Sequence, residues 1–326
     1  MYAIRLHEFG PADNLRYEEV DDPRPGPGEV RIAVEAAGVH LIDTRLRAGV
    51  ASGPLAVPSL PTIPGREVAG TVDAVGDNVD EGWLGQRVVA HLGPRGQGYA
   101  QLAVREVEHV HPVAPALDAS TAVAMIGTGR TALGVLDVAE LTADDVVLIT
   151  AAAGGLGSLL VQAARNAGAV AVGLAGGAAK TAAVRRLGAD VAVDYRRPGW
   201  PDEVRAALDG RSVTVTLDGV GGDTGRAALE LTGPAGRFLV FGWSAGAPTP
   251  ITTADVVQRG LLVASVLGAR MLRRPGGLAA LEEAALAAAT AGTLVPAVHT
   301  FPLAEAAAAH AALENRGTIG KVVLLT

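Results

Sequence analysis

Val146-Val147-Leu148-Ile149-Thr150-Ala151-Ala152-Ala153-Gly154-Gly155-Leu156-Gly157 is the stretch on which the fold turns. A short apolar run is a buried strand, and here it passes through a glycine-rich turn straight into an amphipathic helix, residues 158–166. In that setting the glycines let the backbone approach a pyrophosphate, while the helix start offers free N–H groups and a positive dipole end. The string departs from G-x-G-x-x-G, because Ala152 stands at the first glycine. Its position between strand and helix therefore carries the reading, and Ala153, Gly154, Gly155, Leu156 and Gly157 become candidate dinucleotide contacts. Downstream, strands at 169–174, 191–194, 213–217 and 237–241 follow, the first two separated by a helix at 180–187. That rhythm predicts an α/β fold with a doubly wound parallel sheet.

Upstream, helical patterns at 120–126 and 131–138 lead into the first of these strands and place Thr131 among the candidate cofactor contacts. Before them the chain reads as short strands punctuated by Gly and Pro, at 2–6, 29–39, 67–75, 86–91 and 99–104, the spacing of an irregular antiparallel barrel. Residues 54–65 form a Pro- and Gly-rich loop, a candidate pocket rim. From about Gly292 the tail returns to strand, helix (303–315) and strand (321–325), which predicts that it rejoins the first domain. The expected division is a barrel domain, 1–120 completed by 266–326, around a nucleotide-binding domain, 121–265. A chain of 326 residues agrees with two cores and a cleft between them.

Composition narrows the partners. Hydrophobic residues make up 49% and charged residues 19%, a globular balance. No uninterrupted apolar run reaches the roughly 18 residues of a membrane span, so a membrane partner is not expected and the cytoplasm is the default. A net charge of −7 speaks against a nucleic-acid partner. The chain contains no cysteine, so neither a disulfide nor a thiolate metal site can form.

The choice of nicotinamide cofactor follows from the end of the second strand. NAD-preferring folds carry an acid there, about 20 residues past the loop, for the ribose 2′-hydroxyl. Here the place reads Leu174-Ala175-Gly176-Gly177, with no acid. Small residues leave room for a 2′-phosphate, and Lys180, one of only two lysines, opens the next helix where its ammonium can pair with it. NADPH is the expected cofactor, with Gly176 and Lys180 in its site.

These pieces, with others in the same order, resemble a known family. They are residues 38–44 (GVHLIDT) with Arg47-Ala48-Gly49; Pro64-Gly65-Arg66-Glu67 with Val75-Gly76; Gly85-Gln86-Arg87-Val88; Gly98-Tyr99-Ala100; Asp194-Tyr195-Arg196; Asp218-Gly219-Val220-Gly221; and Gly320-Lys321-Val322-Val323. The chain resembles, over nearly its whole length, the zinc-free quinone oxidoreductases related to zeta-crystallin, in the medium-chain dehydrogenase/reductase superfamily. The resemblance implies a GroES-like catalytic barrel built from both chain ends, a Rossmann domain between, and NADPH as cofactor. It also implies that Lys180, Tyr195 and Arg316 hold the 2′-phosphate, and that the protein is a homodimer. The apolar run 261–267 suits an edge strand for such pairing.

The same resemblance tells against zinc. In the more distantly similar zinc alcohol dehydrogenases a Cys falls at the position of His40 and a His at that of Arg66, and arginine is no ligand. Without a metal, hydride must pass directly to an acceptor that tolerates charge, a quinone or conjugated enone, with the protein supplying proximity and an apolar slot. His40, Asp43 and Arg66 are the candidate catalytic residues. His40 stands where the family usually has Asn; a donor to the acceptor's oxygen or a proton shuttle, with Asp43 or Arg66 tuning it, and a structural histidine beside the cofactor are both open. Asp43 is expected to pair with Arg47 or Arg66. Phe241 and Trp243, following a Rossmann strand, are candidates for the nicotinamide end or the pocket. The tyrosine acid that enoyl-thioester reductases of this family use is missing from residues 48–65. Two alternatives to quinone reduction stand: reduction of an enone or enal double bond, and a non-catalytic, crystallin-like NADPH-binding role.

Overall fold

The computed structural model describes residues 1–51 and 56–326, so Pro54 and Leu55 of the expected pocket rim lie outside the described residues. The chain divides into two compact units, one of residues 1–128, 285–290 and 296–326, the other of 129–284 and 291–295.

In the second unit the strands lie in the spatial order Val191–Asp194, Val170–Ala175, Val146–Ile149, Val213–Asp218, Thr232–Val240, Leu262–Ser265, every pair parallel. Counted from Val146 this is 3-2-1-4-5-6, the dinucleotide-binding order, and it reverses direction between Val146–Ile149 and Val213–Asp218. The helices Gly155–Asn166, Ala178–Arg186, Trp200–Leu208 and Gly222–Leu231 supply the crossovers. Leu148, Val172, Leu174, Val204, Leu229 and Phe238 form its core.

At the reversal point one carboxylate organises the chain. Asp218 is fully buried; its Oδ1 accepts from Thr150 Oγ1 (2.9 Å) and from the backbone N–H groups of Val220 and Gly221, and its Oδ2 accepts from Thr249 Oγ1 (2.5 Å). Thr150 Oγ1 in turn accepts from Gly219 N at 2.9 Å. The ends of two adjacent strands are thus tied side by side through side-chain oxygen atoms.

The first unit carries the sheet order Val298–Pro302, Lys321–Leu325, Glu29–Val39, Glu67–Val75, Arg87–His91, Val110–Pro112, with Leu102–Glu106 also on Glu29–Val39. Its pairs are antiparallel except Val298–Pro302 with Lys321–Leu325, which are parallel because helix Ala306–Glu314 carries the chain across between them. The alternating strand Glu29–Val39 turns Val30, Ile32 and Val34 inward. Strands at Leu15–Glu19 and Val110–Pro112 were not expected from the sequence.

Between the units the chain is one helical run, Ala119–Ala139, which widens into a π-helical turn at Met125–Gly129. By length and composition this run resembles a membrane span, but 67% of its apolar window is buried inside the protein. The unit boundary falls within that turn rather than at 120/121. Residues 266–284, expected with the barrel, cluster instead with the Rossmann unit. Arg274 pairs with Asp137 (2.6 Å), Arg130 with Glu282 (2.5 Å), and Met271 packs over Gly134, where a Cβ would lie 2.6 Å from its Cε. These are side-chain contacts with the 130–139 helix, and the local alternation of the tail does not encode them.

Removing the Asp218 carboxylate leaves two hydroxyls and two N–H groups without their acceptor. Asp218→Ala is expected to cost about 3 kcal/mol of stability; an unchanged urea midpoint would show that the tie carries no weight.

Candidate functional site

The glycine turn sits at the carboxyl end of the first Rossmann strand. Gly154 caps helix Gly155–Asn166 and its N–H returns to Ala151 O at 2.9 Å. Ala151 takes the left-handed conformation (φ 49°) that a glycine would adopt freely, at a cost of about 1 kcal/mol. Ala152 N bonds Leu174 O at 2.9 Å, which pins the turn to the second strand. Gly157 is required for space, because a Cβ there would lie 2.3 Å from Ala151 O. The turn therefore brings Ala153 to Gly157 together, with Gly155, Leu156 and Gly157 in the first helical turn, whose N–H groups have no helical partner.

Gly176 and Gly177 follow the second strand, which ends at Ala175, and Lys180 lies in the first turn of helix Ala178–Arg186. Tyr195 and Arg196 come over the same glycines: a Cβ on Gly176 would lie 3.3 Å from Tyr195 Oη and 3.3 Å from Arg196 Cδ. The room that small residues leave here is thus lined by Tyr195, expected from the resemblance, and by Arg196, which was not. Phe241 lies over Gly219, where a Cβ would meet its Cε2 at 2.3 Å, and Trp243, nearly half exposed, stands beside Gly221. Thr131 lies half-buried in helix Arg130–Ala139 of the same unit. Arg316 lies exposed on the barrel unit in a left-handed turn (φ 54°).

His40, Asp43 and Arg66 come together in the barrel unit. His40 stands just before helix Leu41–Arg47 and its N–H donates to Asp43 Oδ2 at 2.9 Å. Arg66 Nη2 donates to Asp43 Oδ1 at 3.3 Å, and Tyr99 Oη to Asp43 Oδ2 at 3.1 Å. Of the two expected partners of Asp43, Arg66 is the one present, whereas Arg47 turns to Glu314 at 2.5 Å. Burial pushes the Asp43 carboxyl up, but Arg66 and then His40 more than offset this and hold it below the usual carboxylate range.

The groups facing the His40 ring are ones the sequence reading did not select. Nε2 lies 2.7 Å from Lys321 Nζ and 2.6 Å from Glu67 Oε1. The second approach is too poorly directed for a hydrogen bond, so Oε1 is left without one. Lys321 Nζ donates to Glu67 Oε2 at 2.9 Å, with both side chains buried. Burial would raise the Glu67 carboxyl, yet His40 and Lys321 hold it well below its ordinary value; burial lowers Lys321 against the pull of Glu67. Gly38 and Gly127 make the space, since a Cβ on either would lie 2.3 Å from Oε2 or 1.6 Å from Oε1. A lysine heading an otherwise apolar strand, Lys321-Val322-Val323-Leu324, was the available signal, because an inward charge demands a buried partner. His310, also without a visible partner in the sequence, is fully buried against Tyr99 Oη (Nε2 at 3.2 Å), and burial lowers it to about 4.

A GroES-like barrel interrupted by a 3-2-1-4-5-6 Rossmann unit defines the class of medium-chain dehydrogenases and reductases. Residues 26–151 match the alcohol dehydrogenase GroES-like domain family and 155–290 the zinc-binding dehydrogenase family. The chain is 34% identical to a 2-haloacrylate reductase of a Burkholderia species and 32% to a quinone oxidoreductase of Pseudomonas aeruginosa, each over 99% of this chain and 98% of the relative. It superimposes on the structure of the Escherichia coli quinone oxidoreductase complexed with NADPH with a TM-score of 0.88, at 28% identity and full coverage of both chains. The chain belongs to the quinone oxidoreductase family of that superfamily, and is an oxidoreductase.

Zinc, which the second matching family's description implies, does not fit these residues. Among the described residues no group of three or more His, Cys, Asp or Glu could hold a metal. The Lys321 ammonium already lies between His40 and Glu67, and Arg66 adds a guanidinium beside Asp43.

Breaking the buried pair on one side should be costly: Lys321→Met is expected to lose about 3–5 kcal/mol. Lys321→Met combined with Glu67→Met should regain most of that loss in chemical denaturation, and equal losses would contradict the pairing. Because the Glu67 carboxyl is lowered on folding from 4.5, its contribution is whole above that pH and is lost as pH falls through the folded value. Glu67→Gln should accordingly flatten the acid side of the stability profile.

Proposed function

We propose that the chain is an NADPH-dependent reductase of quinones and similar conjugated carbonyl compounds that uses no metal. The observation that carries this is the glycine turn at the carboxyl edge of the sheet, beside the point where strand order reverses, the place such sheets bind dinucleotides.

The residues present fit that cofactor. Residues 153–157 offer backbone N–H groups to the pyrophosphate. Gly176, Lys180 and Tyr195 form the 2′-phosphate end, with Arg316 proposed on the family resemblance. Thr131, Phe241 and Trp243 are proposed for the remainder of the cofactor. When bound, NADPH supplies a hydride from its nicotinamide ring. His40, whose side chain is 25% exposed while the neighbouring Lys321 and Glu67 are buried, is the proposed donor to the acceptor's developing oxyanion. Asp43 orients it through the His40 N–H, and Arg66 and Tyr99 fix Asp43.

A second reading, reduction of an activated carbon–carbon double bond, is favoured by the likeness to a 2-haloacrylate reductase. Screening NADPH oxidation across quinones, enones and 2-haloacrylates separates the two. Quinone turnover that persists in the presence of chelator is expected, and absence of turnover with every acceptor would refute an enzymatic role. Lys180→Ala is expected to weaken NADPH about tenfold or more while sparing NADH; equal loss for both would remove its phosphate role.

We also infer a homodimer formed through Leu262–Ser265. Among the described residues this strand pairs only with Thr232–Val240, and Leu262 is 54% exposed. Light scattering should give twice the 32.9 kDa chain mass, and a monomer would exclude this pairing.

A further inference from the structure

The second Rossmann strand ends without an acid, but an acid reaches that place from the neighbouring strand. Asp194, the last residue of Val191–Asp194, is the register partner of Ala175. Its carboxylate is bound by Arg196, which lies over Gly177, so it stands at the turn where a ribose-binding acid would stand.

Arg196 covers this carboxylate. Oδ1 accepts from Arg196 N (3.1 Å) and Nε (3.2 Å), and Oδ2 accepts from Nη2 (3.3 Å). The guanidinium lies across Gly177, where a Cβ would come within 2.3 Å of Nη2 and 3.5 Å of Nη1. Gly177 also holds a positive φ of 98°, so both its conformation and the guanidinium above it disfavour a side chain. A guanidinium has five N–H donors, and Asp194 occupies two of them, which leaves three to meet a further anion. The arginine side chain is 63% exposed and the aspartate 15%, so the cation faces outward and the carboxylate lies behind it.

We propose that Arg196 and Asp194 together decide between NADPH and NADH: Arg196 binds the 2′-phosphate and masks a carboxylate that, once bared, repels that phosphate and accepts the 2′-hydroxyl of NADH. The proposal rests on the NADPH reading above and adds to it the residue pair that sets the preference. Arginine suits the role because its planar fork engages a carboxylate and a phosphate at the same time, which a lysine point charge cannot do.

The test is the affinity of the full chain for NADPH and for NADH, measured by calorimetry on the wild type, Arg196→Ala, Arg196→Lys and Arg196→Ala with Asp194→Asn. Arg196→Ala is expected to lower the NADPH to NADH affinity ratio about ten- to hundredfold, with NADH binding tighter than in the wild type. Arg196→Lys should fall between. Adding Asp194→Asn should abolish the gain for NADH and restore part of the NADPH affinity. A ratio unchanged by Arg196→Ala overturns the proposal, as does a gain for NADH that survives removal of the carboxylate. A wild type without preference for NADPH would instead overturn the functional reading on which the proposal rests.

Discussion

The Glu67 carboxylate, fully buried in the barrel unit, can remain ionised only if positive charge is brought to it from elsewhere in the chain. Lys321 meets it across 254 residues of sequence, and His40 approaches from the start of the first helix. One ion pair thereby joins the first residue of a central strand to the first residue of the last strand, so the C-terminal tail closes the barrel through its charge as well as its Val322–Leu324 core contacts. The arrangement also explains two glycines with no other evident reason. Gly38, in the longest strand of the unit, and Gly127, in the π-helical turn, clear the two carboxylate oxygens, and a π-turn supplies a local widening of the helix at that point.

The Rossmann unit depends on a different kind of tie. Asp218 engages neutral hydroxyl and amide donors rather than a cation, and it fixes the two strand ends between which the sheet reverses. The adjacent turn is held by backbone contact, with Gly157 against Ala151 and Ala152 against the second strand, and by Ser158 Oγ donating to the Gly155 carbonyl. None of these contacts uses the N–H groups of residues 155–157, which a pyrophosphate site requires. The polar groups of the barrel unit, by contrast, are largely consumed by one another, and His40 is the member of the cluster whose ring reaches both the buried pair and the surface.

Most of this architecture was legible because buried strands announce themselves locally. Strands at 2–6, 29–39, 67–75, 191–194 and 321–325 lie where their apolar pattern places them, and the helix after the glycine turn needed only a three-residue extension. What the sequence could not show depends on distant partners. Asp43 had two candidate arginines within reach along the chain, and only the fold shows that Arg47 is taken by Glu314. The partners of the His40 ring, Lys321 and Glu67, lie at neither of the positions expected to tune it, while Asp43 accepts from its backbone N–H. The segment 266–284 follows contacts with the 130–139 helix that no periodicity reports, since Met271, Arg274 and Glu282 find Gly134, Asp137 and Arg130 only once the fold exists.

The same distinction governs the cofactor end. Reading the second strand alone finds no acid at its close, and the inference that a 2′-phosphate is tolerated is sound as far as that strand goes. A parallel sheet, however, sets the end of each strand beside its neighbour's, and register places the Asp194 carboxylate next to Ala175. An acid delivered from the third strand has the same field as one delivered from the second. Its sign at the nucleotide is therefore set by whether a cation stands in front of it, and two residues onward in the chain Arg196 does so. On the proposal made above, cofactor preference in this chain follows the local charge sum at the sheet edge, to which the fingerprint position is one contributor among neighbours.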